Sequence, residues 1–169
     1  MVIVYVWRLR MKGGDQKPAA FGHASVQVGT TYMSWWPSNP GQVPSGLHPN
    51  IYASSPFRNR SLADDERDEG QRADDIVYIN GLDEEAIKDW WSSFGLVRDG
   101  VELYGPLQSW STLDRNCSTV AAIALKKGGG DKYADWHKSW NLVWSPNDVA
   151  RYAHSIRQNI ERKQTAKTG

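Results

Sequence analysis

Cysteine is almost absent from this chain: Cys117 is the only one among 169 residues. A single cysteine cannot form an intramolecular disulfide, so the fold does not depend on oxidising conditions. Long apolar runs are absent as well. No stretch reaches the roughly 18 apolar residues of a membrane-spanning helix, and the opening MVIVYVW lacks a signal-peptide cleavage pattern. We therefore expect a protein that is cytoplasmic where it is made and does not insert stably into membranes, and whose secretion into a target cell would need no cleaved signal peptide.

An excess of charge of either sign is also lacking, since the formal net charge is +1 and basic residues cluster only in the C-terminal tail. This balance gives no reason to expect a nucleic-acid partner. The four histidines show no metal-binding spacing, and with one cysteine they predict no metal site. Aromatic residues are abundant instead: nine tryptophans, seven tyrosines and three phenylalanines are enough to line a cleft as well as a core.

Residue patterns predict an α+β fold in one domain over residues 1–160, with an antiparallel sheet packed against helices. The predicted strands cover residues 2–11, 21–28, 31–36 and 76–79, the second and third forming a hairpin around Gly29-Thr30. The predicted helices cover residues 84–94, a segment from Cys117 to the glycines at 128–130, and an amphipathic segment after Ser145-Pro146. Residues 161–169 form a predicted polar tail.

The composition of residues 38–75 predicts a long surface loop. The segment is rich in proline, serine and glycine and then in alternating charges, with little apolar periodicity. It follows the strand that ends in SWWP, which places it at the edge of the site described below. Two interpretations stay open: a lid that recognises substrate, or a solvated insertion without a role.

The position of Cys117 suggests chemistry. Asn116 or Asp114 can cap a helix that begins at the cysteine, and Gly128 can end it. At a helix N-terminus the unpaired amides and the positive end of the dipole favour thiolate over thiol, which makes an activated nucleophile. The alternative is an inert, buried small side chain.

A nucleophilic cysteine needs a base, and His23 is the best candidate of the four histidines. It lies on a predicted strand whose alternation puts His23, Ser25 and Gln27 on one face. If Val28 pairs with Thr31 in the hairpin, Ser34 and Trp36 share that face.

Three segments in this order, GHASVQV, TYMSWWP and NCSTVAAIAL, resemble the circularly permuted papain-like superfamily. That superfamily includes the lecithin:retinol acyltransferase-like enzymes and the PPPDE-type peptidases, and its histidine strand precedes the nucleophile helix. The likeness covers roughly residues 21 to 130 and is greatest to papain-like domains of bacterial toxins and secreted effectors. It implies a permuted papain-like fold with Cys117 as nucleophile and His23 as general base.

The resemblance carries no residue beyond Cys117 and His23, although in permuted members the residue that orients the histidine tends to lie on the next strand. The hairpin register then selects Ser34, with Asp114 as a second candidate. Ser34 departs from the usual Asn, Asp or His, so a plain Cys/His dyad stays open as an alternative to a triad. The backbone amide of Cys117, helped by the side chain of Asn116 or Gln108, would stabilise an oxyanion. Trp35 and Trp36 would line the substrate cleft.

The implied function is a cysteine hydrolase or acyl-transfer enzyme of the amidase, peptidase or deamidase type, acting as a bacterial toxin or secreted effector without a cofactor. Its partners would be a protein, peptide or lipid acyl substrate, together with a cognate immunity protein or secretion machinery. A second hypothesis is an inactive papain-like binding module with an aromatic recognition surface.

Overall fold

The computed structural model describes residues 1–8, 10–11, 18–20, 22–36, 51–52, 60–94, 97–98, 101–102, 110–111 and 116–168. Its strands are β1 (Val2–Trp7), β2 (Arg10–Met11), β3 (Pro18–Ala20), β4 (His23–Val28), β5 (Thr31–Met33), β6 (Ile51–Tyr52), β7 (Asp75–Ile79), β8 (Val97–Arg98), β9 (Val101–Glu102) and β10 (Trp110–Ser111). Its helices are α1 (Leu62–Glu69), α2 (Glu84–Ser93), α3 (Cys117–Lys127), α4 (Trp136–Ser139) and α5 (Pro146–Thr168), with a 3-10 turn at Gly130–Lys132.

The main sheet has the strand order β5-β4-β1-β7, and each described pairing in it is antiparallel. Strand alternation gives this sheet two different faces. One face is apolar and fully buried, and it packs against α2, α3 and α5; it carries Val2, Val4, Val6, Ala24, Val26, Val28, Val77 and Ile79. The other face carries polar and aromatic side chains. The predicted α+β fold, an antiparallel sheet packed against helices, is confirmed.

The hairpin has the predicted register. Val28 pairs with Thr31 and Val26 with Met33, around a two-residue turn in which Gly29 has a φ of 58°. That left-handed conformation suits glycine, which has no Cβ to clash with the backbone. This register puts His23 and Ser34 on the same face of the sheet.

The interpretation of residues 38–75 as a surface loop is wrong for residues 62–69, which form α1. The Ser61 hydroxyl accepts from the Asp64 amide, the Asp64 carboxylate accepts from the Ser61 amide, and Gly70 ends the helix with a φ of 72°. Apolar periodicity did not reveal α1 because Asp65 is its one buried residue. Local caps and polar contacts hold this helix in place.

The C-terminal helix is longer than predicted. α5 runs from Pro146 to Thr168, so residues 161–168 continue the helix, although the side chains of 161–167 are exposed. Among the described helices, none combines the length and the apolar content needed to cross a membrane.

Gly130 marks a place where α3 and α5 approach the backbone closely. A Cβ there would lie 2.7 Å from Ile156 Cδ1 and 2.8 Å from the carbonyl oxygen of Leu125. We expect Gly130→Ala to lower the free energy of unfolding by about 1–3 kcal/mol, because a backbone carbonyl cannot move away easily. Urea unfolding tests this, with the exposed substitution Glu161→Ala as the control. Equal stability of Gly130→Ala and wild type would contradict the expectation.

Candidate active site

Cys117 is the first residue of α3 and is 7% exposed. Asn116 caps the helix: its side-chain oxygen accepts from the Thr119 amide at 2.9 Å, while its Nδ2 donates to the carbonyl oxygen of Trp144 at 3.3 Å. Both ends of the Asn116 side chain are therefore engaged in structural hydrogen bonds. This geometry does not support the predicted oxyanion role for the Asn116 side chain. The first backbone amides of α3 are better candidates for oxyanion donors, because they have no partner within the helix.

His23 begins β4 and is 1% exposed. Cys117 is near enough to raise the pKa of this ring, and Nε2 of the ring lies 3.0 Å from Oδ2 of Asp65. The imidazole thus has a thiol from α3 and a carboxylate from α1 as neighbours. These are the two kinds of neighbour that a general base in nucleophilic catalysis requires.

Asp65 is a buried carboxylate surrounded by donors. Its side chain is 0% exposed, and both of its oxygens accept hydrogen bonds. On Oδ2 it receives Tyr32 Oη at 2.6 Å as well as His23 Nε2. On Oδ1 it receives Trp36 Nε1 at 2.7 Å and Arg60 Nε at 2.9 Å. This donor shell offsets the cost of burying the charge.

The pKa values of His23 and Asp65 shift in the directions that favour the charged form of each group. Burial alone would lower the pKa of His23, but the charge of Cys117, the charge of Asp65 and their hydrogen bonds outweigh it and raise that pKa to about 10. Burial alone would raise the pKa of Asp65, but the His23 charge and the hydrogen bonds from His23, Tyr32 and Ser34 hold it well below its usual range. The structure therefore favours an imidazolium at His23 and a carboxylate at Asp65 near neutral pH.

Ser34 lies where the sequence placed it. Its Oγ is 2.9 Å from Nε2 of His23, and it is 1% exposed. Asp65 contacts the same ring nitrogen and adds a negative charge, which a hydroxyl lacks. Ser34 therefore belongs to the site, but the group best suited to orient the imidazolium is Asp65.

The two tryptophans predicted for the substrate cleft have separate positions. Trp36 stacks on His23, with ring centroids 4.5 Å apart, and donates to Asp65. Trp35 is 2% exposed and packs edge-on against Phe94 in the core. The prediction that Trp35 lines the substrate cleft is therefore wrong: its side chain points toward the helical layer and belongs to the core. Gln108 and Asp114 lie outside the described residues.

Asp65 is the site residue that sequence reasoning missed. It lies in the charge run LADDERDE, where acidic residues usually face solvent. The spacing Ser61-x-x-Asp64 was a detectable sign of a helix start in this run. Nothing local distinguishes Asp65 from Asp64 or Asp68, because its partners come from the hairpin.

The site brings together a thiol, an imidazole and a carboxylate, which are the functional groups that thioester chemistry uses. In the part of the chain that the structure describes, no three His, Cys, Asp or Glu side chains converge on a metal-sized position.

Comparison with known proteins gives one match. The profile of the IcsB middle domain matches residues 54–168, a range that contains Asp65 and Cys117 but begins after His23. Searches of curated proteins and of solved structures found no match to this chain.

Proposed function

The chain belongs to the IcsB middle domain family of bacterial effector domains, and we propose that it is a cysteine hydrolase or acyl-transfer enzyme of the permuted papain-like type. In this proposal Cys117 is the nucleophile, His23 the general acid and base, and Asp65 the group that orients His23. The proposed substrate is an amide or ester of a protein, a peptide or a lipid, met after secretion into a target cell.

The chemistry proceeds in two steps. The Cys117 thiolate attacks the carbonyl carbon of the substrate, and as the leaving group departs it takes the proton from the His23 imidazolium. An acyl-enzyme with a thioester at Cys117 results. Water, or an acceptor amine or hydroxyl, then attacks the thioester while neutral His23 takes its proton, and the thiolate leaves.

Charge stabilisation comes from the protein itself. Asp65 lies 3.0 Å from Nε2 of His23 and stabilises the imidazolium that both steps use. The backbone amide of Cys117, at the start of α3, is a donor for the oxyanion that forms in each step.

One observation carries the proposal: Cys117, His23 and Asp65 are buried together, although they come from α3, β4 and α1. Burying charged groups costs stability, and apolar side chains of similar size would pack there at no such cost. A binding module needs no such chain of groups, whereas acyl transfer uses every member of it.

Alkylation of Cys117 tests the proposal, because the chain has no other thiol. We expect iodoacetamide at pH 6.5 to modify the folded protein about 10- to 100-fold faster than the urea-unfolded protein, because in this proposal the imidazolium and the start of α3 stabilise negative charge on the attacking sulfur. The rate is followed by intact-protein mass spectrometry. His23→Ala should bring the folded rate down to that of the unfolded chain or below.

A second measurement looks for the intermediate. After exposure to a p-nitrophenyl ester, the wild-type protein should carry the mass of one acyl group on Cys117, and Cys117→Ala should carry none. A folded wild-type protein that alkylates no faster than its unfolded form and shows no acyl adduct would rule out the enzyme.

A further inference from the structure

Arg60 contacts Asp65 on the side away from His23. Its Nε lies 2.9 Å from Oδ1 of Asp65 and its terminal nitrogen 2.7 Å from the same oxygen. That terminal nitrogen also lies 2.7 Å from Oδ2 of Asp68. Arg60 therefore joins two carboxylates of α1 and leaves Oδ2 of Asp65 to His23 and Tyr32.

Arg60 also completes a stack of flat groups. Its guanidinium carbon lies 4.8 Å from the ring centroid of Trp36, which in turn stacks on His23 at 4.5 Å with an interplanar angle of 28°. A guanidinium over an indole face is a favourable cation–π contact. Arg60 is thus linked to the imidazole by two routes, through the carboxylate and through the indole.

The docking of α1 depends on these polar contacts. Asp65 is the only fully buried residue of this helix, and the one apolar side chain with partial burial is Leu62. An interaction that fixes the Asp65 carboxylate therefore also fixes the distance between α1 and His23.

We propose that Arg60 is a positioning residue: with Trp36 it holds Oδ1 of Asp65 and thereby keeps Oδ2 on His23. This inference rests on the proposed function, since it concerns how the base of that site is oriented. Arg60 makes no hydrogen bond to His23 or Cys117. Its effect on the base passes through Asp65.

Removal of Arg60 changes the pKa of His23 in a direction that depends on the role of Arg60. The groups that face His23 are Cys117 from α3, Asp65 from α1, Trp7 from β1, and Ser34 and Trp36 from the chain after β5. If Arg60 were only a nearby cation, its removal would raise the pKa of His23. If Arg60 holds Asp65 in place, its removal lets the carboxylate move away, and the pKa of His23 falls.

The test is an NMR titration of the His23 ring in wild type, Arg60→Gln, Arg60→Lys and Arg67→Gln, with the His23 signals assigned by their loss in His23→Gln. We expect Arg60→Gln to lower the titration midpoint by about 1 pH unit or more and to slow alkylation of Cys117 at pH 6.5. Arg60→Lys, which keeps a cation near Oδ1, should restore most of both. Arg67→Gln is the control: it also removes one positive charge near α1, but from a residue that pairs with Asp64. It should change neither the His23 midpoint nor the alkylation rate of Cys117.

A raised or unchanged midpoint in folded Arg60→Gln would overturn the positioning role. If that variant does not fold, Trp36→Phe is the second test, because it removes the other donor to Oδ1 of Asp65 and keeps an aromatic ring over His23. A lowered His23 midpoint in Trp36→Phe supports the proposal, and an unchanged midpoint overturns it. A wild-type His23 that titrates near 6.5 with an unreactive Cys117 would reject the proposed function as well. A reactive wild type with an unshifted Arg60→Gln rejects the positioning role alone.

Discussion

Asp65→Asn is expected to slow formation of the acyl-enzyme by about 10²- to 10⁴-fold, as removal of an orienting carboxylate does in other nucleophile–histidine sites. The carboxylate oxygens accept from His23 and Tyr32 on one side and from Trp36 and Arg60 on the other. An asparagine side chain has a single acceptor oxygen and must turn its NH₂ group toward two of these donors. The imidazolium also loses its negative partner, so the protonated ring that donates to the leaving group is less favoured.

The rate of acyl-adduct formation with a p-nitrophenyl ester measures this effect. Glu66→Gln is the matched control, because it changes the neighbouring residue of α1 in the same way. The unsatisfied donors are expected to lower the free energy of unfolding by about 1–3 kcal/mol, so thermal melting must show that the variant is folded at the assay temperature. A folded Asp65→Asn protein that acylates as fast as wild type would remove Asp65 from the mechanism.

The stability of the protein is expected to fall between pH 6.5 and pH 10 through His23. The pKa of this histidine is raised from 6.5 to about 10 in the folded protein. A raised pKa contributes stability that is fully present below 6.5 and is lost as the pH rises through 10. Asp65 has the opposite dependence: its lowered pKa contributes stability above its unfolded value of about 3.9, which is lost only in acid.

Urea unfolding of wild type and His23→Gln at pH 6, 8 and 10 isolates the His23 contribution from other titrating groups. The difference in unfolding free energy between the two proteins should shrink as the pH rises, by an amount on the order of a few kcal/mol. A constant difference over this range would mean that His23 is not held as an imidazolium. The decline in alkaline solution should also be weaker in Asp65→Asn, because the carboxylate is one of the charges that raise the pKa of His23.

Local sequence determined much of the architecture. The β4–β5 register followed from a two-residue turn with glycine and from alternating side chains, and both signals lie within a dozen residues. The start of α3 at Cys117 followed from an asparagine cap, and its end from Gly128. Such features depend on neighbours in the chain, which is why they can be predicted from the sequence.

Tertiary structure alone decided which residues complete the site. Asp65 is 42 residues from His23 in sequence, and its role depends on donors from the hairpin and from Arg60 that no local pattern brings together. Tertiary structure also decided which of Trp35 and Trp36 belongs to the core and which to the site. Adjacent residues on an extended chain point to opposite sides; the helical layer made one side the apolar core, while α1 covered the other with a buried carboxylate.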